Sequence, residues 1–108
     1  MFSIVIPTFN NVDYLKLCIK SIEINSIFKH QIIPHINGND DSTSTYLSLK
    51  NIEFTHSKNN LGICEGTNIA SKKSKFDYIL YAHDDFYFCP DWDKILLDEV
   101  NSIGHNKF

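Results

Sequence analysis

FSIVIPTFNN (2–11) is an apolar, β-branched run that closes on a proline and then turns abruptly polar. A run of this kind, with no alternation between apolar and polar residues, predicts a strand buried on both faces, as in a parallel sheet. Parallel strands need long crossover connections, and the next segment supplies one. Asn10 or Asn11 can cap a helix, Asp13 falls in its first turn, and Leu15, Cys18, Ile19 and Ile22 recur at helical spacing.

The same alternation continues down the chain. HQIIPHI (30–36) predicts a second strand, with Pro34 arguing for an edge or an irregular end because proline cannot donate to a ladder. NGNDDSTS (37–44) is a polar loop leading into a short helix from Ser44 to Lys50, and NIEFTHS (51–57) predicts a third strand. NNLGICEGTNIASKKS (59–74) predicts a helix capped by asparagine, with Leu61, Cys64, Ile69 and Ala70 on its apolar face and Gly62 and Gly66 weakening it. FDYILYA (76–82) predicts the fourth strand. Pro90 then opens a last helix carrying Trp92, Ile95, Leu96, Glu99 and Val100.

Strand and helix thus alternate four times, which predicts an α/β fold: a mostly parallel sheet with helices on both faces. The 108 residues suit one domain spanning the chain, and 43% hydrophobic content is enough for a core. A formal charge of −3 without a basic stripe argues against a nucleic-acid partner. Three widely spaced cysteines, Cys18, Cys64 and Cys89, predict free thiols and a cytoplasmic setting. The amino terminus lacks the pattern of a signal peptide, and no apolar run is long enough to span a membrane.

In parallel sheets, ligands bind beyond the carboxyl ends of the strands. Three polar segments fall there: TFNN, NGNDDS and HDDF. Asp84 and Asp85 are adjacent carboxylates at the end of a strand. Their repulsion is relieved by a hard divalent cation, which prefers oxygen ligands and is commonly shared with phosphates. The competing explanation is a solvated acidic turn. Phe9 is placed to stack on a base or to cover the sheet end, and Asn37 to pair with a base edge or to form a plain turn. A zinc site using His83 and Cys89 matches no common spacing. Cys64 is expected in the core. Asp91, Asp93, Asp98 and Glu99 are expected on a solvated helix face, and His30, His35, His56 and His105 in structural or solvent-facing roles. The Walker phosphate loop, the dinucleotide glycine motif and the GxSxG elbow are all absent from the sequence.

SIVIPTFNNVDYLKLCIKSI (3–22) and NNLGICEGTNIASKKSKFDYILYAHDDF (59–86) together resemble the family 2 glycosyltransferases of the GT-A fold. The resemblance implies a Rossmann-like three-layer sandwich, incomplete at its carboxyl end, that forms the donor-binding half of a transferase. It implies a nucleotide-diphospho-sugar donor, a Mn2+ or Mg2+ ion, and a saccharide or lipid-linked acceptor attacked with inversion. By position Phe9 stacks on the base with Pro7 and Thr8 beside it, Asn37 reads the base edge, Asp84 contacts ribose or sugar, and Asp85 holds the metal. Asn37 stands where the family commonly has aspartate, with Ile36 a competing alignment, and His83 replaces the first acid of the usual Asp-x-Asp. No catalytic base is identified. A non-catalytic nucleotide-sugar module and a metal-dependent nucleotidyltransferase are the alternatives. Peripheral attachment at the inner face of the membrane, and a homodimer through an exposed sheet edge, are further expectations.

Overall fold

The computed structural model describes residues 1–103. Four strands and four helices alternate: β1 (Phe2–Thr8), α1 (Val12–Asn25), β2 (Gln31–Asn37), α2 (Asp41–Leu49), β3 (Thr55–Ser57), α3 (Ile63–Ser71), β4 (Tyr78–Tyr81) and α4 (Trp92–Ile103). The strands form one parallel sheet in the order β3-β2-β1-β4. All seven residues of β1 are buried, as its uninterrupted apolar run requires.

The chain winds in one direction from β1 to β3, then crosses to the other side of β1 for β4. The two faces are covered unequally. Phe2, Ile4 and Ile6 of β1 and Ile36 of β2 pack with Leu15, Cys18, Ile19 and Ile22 of α1 and Leu47 of α2. Trp92, Leu96 and Leu97 of α4 join that layer, while Val5 and Ile33 meet Ala70 of α3 on the opposite face. Fully burying each of these larger side chains stabilises the fold by roughly 1.5–3 kcal/mol.

Several expectations need correction. Pro34 pairs with Ile6 on one side of β2 only, a locally edge-like position, although β2 is an inner strand further along. The position tolerates it because β3 joins β2 only from His35 onward, so β2 still has an unpaired side at Pro34. The third strand is confined to Thr55–Ser57; Ile52 and Phe54 pack against the core from a loop. The second helix begins earlier, at Asp41, because Asp40 caps it by accepting from Thr43 N–H.

α3 begins at Ile63, with Gly62 at its cap and no asparagine side-chain cap. Its buried residues are Gly66 and Ala70, whereas Cys64 is exposed. A Cβ at Gly66 would come within 2.9 Å of His35 Cδ2 and 3.1 Å of Asn37 Nδ2, so only glycine lets the helix lie this close to β2.

Asp93 is not on a solvated face. It is fully buried and pairs with His30, Oδ2 to Nε2 at 2.8 Å, while Ile27 N–H and Phe28 N–H also donate to it. His30 Nδ1 accepts from Phe2 N–H, so the pair clamps the start of α4 to the starts of β1 and β2. Burial works to raise the Asp93 carboxyl. Hydrogen bonds from Phe28, Ile27, His30 and Lys94 outweigh it and hold the group below its ordinary value. His35 is buried, His56 is exposed, and His105 lies outside the described residues.

Candidate functional site

The carboxyl ends of β1, β2 and β4 border a cleft of about 310 Å³. It lies where the strand order reverses around β1, the usual ligand position in a doubly wound sheet. Pro7, Thr8, Phe9, Asn37 and Asp84 all line it.

β1 ends at Thr8, whose Oγ1 donates to Asp84 Oδ2 at 2.8 Å. This bond joins the ends of β1 and β4, and the other Asp84 oxygen has no hydrogen-bond partner among the described residues. Phe9 follows in a bend made possible by Asn10, which adopts φ 47°, a left-handed conformation that asparagine tolerates. Phe9 is 51% exposed, and its ring lies over Gly38, whose added Cβ would be 3.5 Å from Phe9 Cε1. One flank of the ring is therefore supported while the rest faces solvent.

Asn37 ends β2 and is nearly buried. Its Nδ2 donates to Gly62 O at 3.3 Å, and its Oδ1 accepts from Leu61 N–H at 3.2 Å. Ser57 Oγ lies 3.3 Å from the same oxygen. Behind it His35 joins Thr55 Oγ1 and Ser57 Oγ at 2.7 and 3.0 Å. Burial lowers the His35 pKa, against a smaller opposing effect of the Asn37 side chain, and so favours the neutral imidazole.

Asp85 is exposed and does not line the cleft. It follows Asp84 in the turn closed by Phe86 N–H donating to His83 O. Burial first, and then the charges of Asp84 and Asp85, push the Cys18 thiol up to about 12. Among the described residues no three His, Cys, Asp or Glu side chains converge as a ready-made metal cage.

Further residues complete the cleft: Asn11, Asn60, Gly62, Ile63 and His83. Asn60 Oδ1 accepts from Gly62 N–H at 3.0 Å, an Asx turn that sets up the φ of 85° at Gly62. The NNLG turn signal marks this loop in the sequence, but nothing local says that it folds over the end of β2. His83 packs between the rings of Tyr81 and Phe86, each with its centroid 5.0 Å away. A larger hollow of about 710 Å³ lies at the opposite ends of the strands and holds none of these residues.

The fold is similar to the crystal structures of S. aureus TarS 1-349 and of S. aureus TarS, both at TM-score 0.81 and 18% identity. Each likeness covers 94% of this chain, but 32% and 19% of those chains. S. aureus TarS 1-349 in complex with UDP matches at TM-score 0.82 and 18% identity, again over 94% of this chain and 32% of that one. The chain therefore spans about a third of the shorter TarS structures. None of the curated proteins matches it. The family model for glycosyl transferase family 2 matches residues 3–106, nearly the whole sequence, and the chain belongs to that family.

Proposed function

We propose that this chain forms the donor site of a nucleotide-sugar glycosyltransferase, which in the complete enzyme passes a hexose to a saccharide or lipid-linked acceptor with inversion. The observation that carries the reading is the meeting of Phe9, Asn37 and the Thr8–Asp84 pair around one cleft at the strand-order reversal. Family membership and the UDP complex of TarS support it.

In this reading the base stacks on the open flank of Phe9, between the ends of β1 and β2. Aromatic stacking of this kind typically contributes about 1–3 kcal/mol per base. Asp84, held in place by Thr8, offers its remaining oxygen to a ribose or sugar hydroxyl. Pro7 and Thr8 form the floor, and Asn60 and Gly62 close the side wall.

The residues fit a divalent ion of the Mn2+ or Mg2+ type that is completed by phosphate oxygens and water. Asp85 has no hydrogen-bond partner among the described residues, so its carboxylate is available, and Asp84 stands beside it. Asp85 and Asp84 would hold such an ion, which would supply positive charge to the departing nucleoside diphosphate. No residue of this chain is assigned the role of the base that deprotonates the acceptor.

Calorimetric titration with nucleoside diphosphates, with and without Mn2+, tests the reading. Metal-dependent binding that is lost in Asp85→Asn, with the fold retained, supports it. Binding that ignores both metal and Asp85 removes the ion from the site. No binding to any nucleotide rejects the donor site.

A further inference from the structure

We infer that β4 is the docking edge for a second copy of this chain, whose own β4 pairs with it antiparallel and joins the two sheets across a twofold axis. The inference does not depend on the donor-site reading above.

β4 stands at one end of the strand order and pairs with β1 alone. Ala82 N–H donates to Val5 O, and successive residues of a strand turn their amide groups to opposite sides. Leu80 therefore also turns its amide groups toward β1, whereas Ile79 and Tyr81 turn theirs outward. Among the described residues no strand receives them. Folded proteins ordinarily blunt such an edge with shortness, charge, proline or a covering element. β3, at the other edge, is three residues long and polar. β4 reads Tyr-Ile-Leu-Tyr, with neither a charge nor a proline.

One face of this edge is apolar and uncovered. Ile79 lies opposite Ser3 and Tyr81 opposite Val5, which places both on the α3 side of the sheet. α3 packs chiefly on β1 and β2. Ile79 is 49% exposed and Tyr81 38%, and Ile63 at the start of α3 is exposed as well. Tyr78 and Leu80, on the opposite face, join the core.

Charge selects a second copy as the occupant. Lys72, Lys73 and Lys75 precede β4, and Asp84 and Asp85 follow it. An antiparallel strand of the same sequence reverses this order, so its acidic end meets the basic end of the first copy, twice about the axis. Outward-facing residues must pair with each other. The register centred on Leu80 sets Ile79 against Tyr81 of the second copy, an aromatic and β-branched pair on one face. It also sets Lys75 against Asp85 and Asp77 against His83, with no like charges opposed. Lys75 and Asp85 are both exposed, and neither makes an ion pair among the described residues.

Sedimentation velocity of the whole chain, from micromolar to millimolar concentration, is the test. A concentration-dependent dimer that loosens as salt rises is expected. Ile79→Pro removes only an outward N–H, so it keeps the bonds to β1 while blocking the edge. Checked for folding by circular dichroism, it should weaken dimerisation at least about tenfold. Lys75→Glu should weaken it by about as much, and adding Asp85→Lys to that variant should restore it. The charge exchange keeps the test decisive should the proline variant fail to fold. A chain that stays monomeric throughout the range overturns the inference, whatever else covers the edge. A dimer that ignores Ile79→Pro and the charge variants belongs to another surface and overturns it as well.

Discussion

Thr8 Oγ1 donates to Asp84 Oδ2 at 2.8 Å across 76 residues of sequence, and this one bond fixes the end of β4 to the end of β1. Asp84 is therefore a held carboxylate, with one oxygen committed and one to offer. Thr8→Val keeps the β-branched shape and removes the hydroxyl. It should cost about 1 kcal/mol of stability, the typical worth of such a bond, measured by urea denaturation. Nucleotide affinity should fall by a larger factor than this loss of stability explains, because Asp84 then turns freely.

Gly66→Ala should be destabilising by roughly 1–3 kcal/mol, although alanine is the better helix former. The added methyl would sit 2.9 Å from His35 Cδ2 and 3.1 Å from Asn37 Nδ2, so α3 must lift from β2. Thermal unfolding reads the cost. Glu65→Ala, one residue earlier on the exposed side of the same helix, serves as the control and should change stability little.

Asp93→Ala should destabilise by roughly 3 kcal/mol or more, since it strands His30 Nε2 and the N–H groups of Ile27 and Phe28 in the interior. The sign of the pH dependence follows from the depressed carboxyl. The folded state favours the ionised form, so the contribution is fully present above the ordinary value of 3.8 and is lost as pH falls through the lower folded value. Stability measured against pH should therefore drop on the acid side in the unmodified chain, and that limb should be shallower in Asp93→Asn.

Thiol labelling under native conditions should modify Cys64 and Cys89 quickly and Cys18 only on unfolding. The first two are exposed. Cys18 is buried, and its thiol is pushed up to about 12 by burial and by the Asp84 and Asp85 charges, so almost no thiolate forms at neutral pH. Fast reaction of all three would mean that α1 does not seat against the sheet as described.

The sequence made β1 easy to find, because a continuous apolar run has few other uses in a small domain. It overextended β3, since Ile52 and Phe54 alternate like a strand whether or not a neighbouring strand is there to pair with. The face of α3 was hidden for a different reason. Its contact residues are Gly66 and Ala70, and small residues read as weakness in a helix until the partner surface is known. Asp93 looked solvated because its partner His30 lies 63 residues away. At the site, residue type and position beyond a strand brought Phe9 and Asp84 forward as candidates, and both line the cleft, although β4 is half exposed and not the buried strand its sequence suggests. The hydrogen bonds around Asn37 were not legible, because they depend on how the 57–62 loop folds back over β2.

The most direct measurement is a nuclear magnetic resonance titration of the labelled chain with each nucleoside diphosphate in turn and Mg2+, reading amide shifts residue by residue. The account predicts that the perturbed amides cluster at Thr8–Asn10, Asn37–Gly38, Asn60–Ile63 and His83–Asp85. Perturbations centred instead on the hollow around Lys29, Lys50 and Lys75, with the strand ends at Thr8 and Asn37 unmoved, would contradict it.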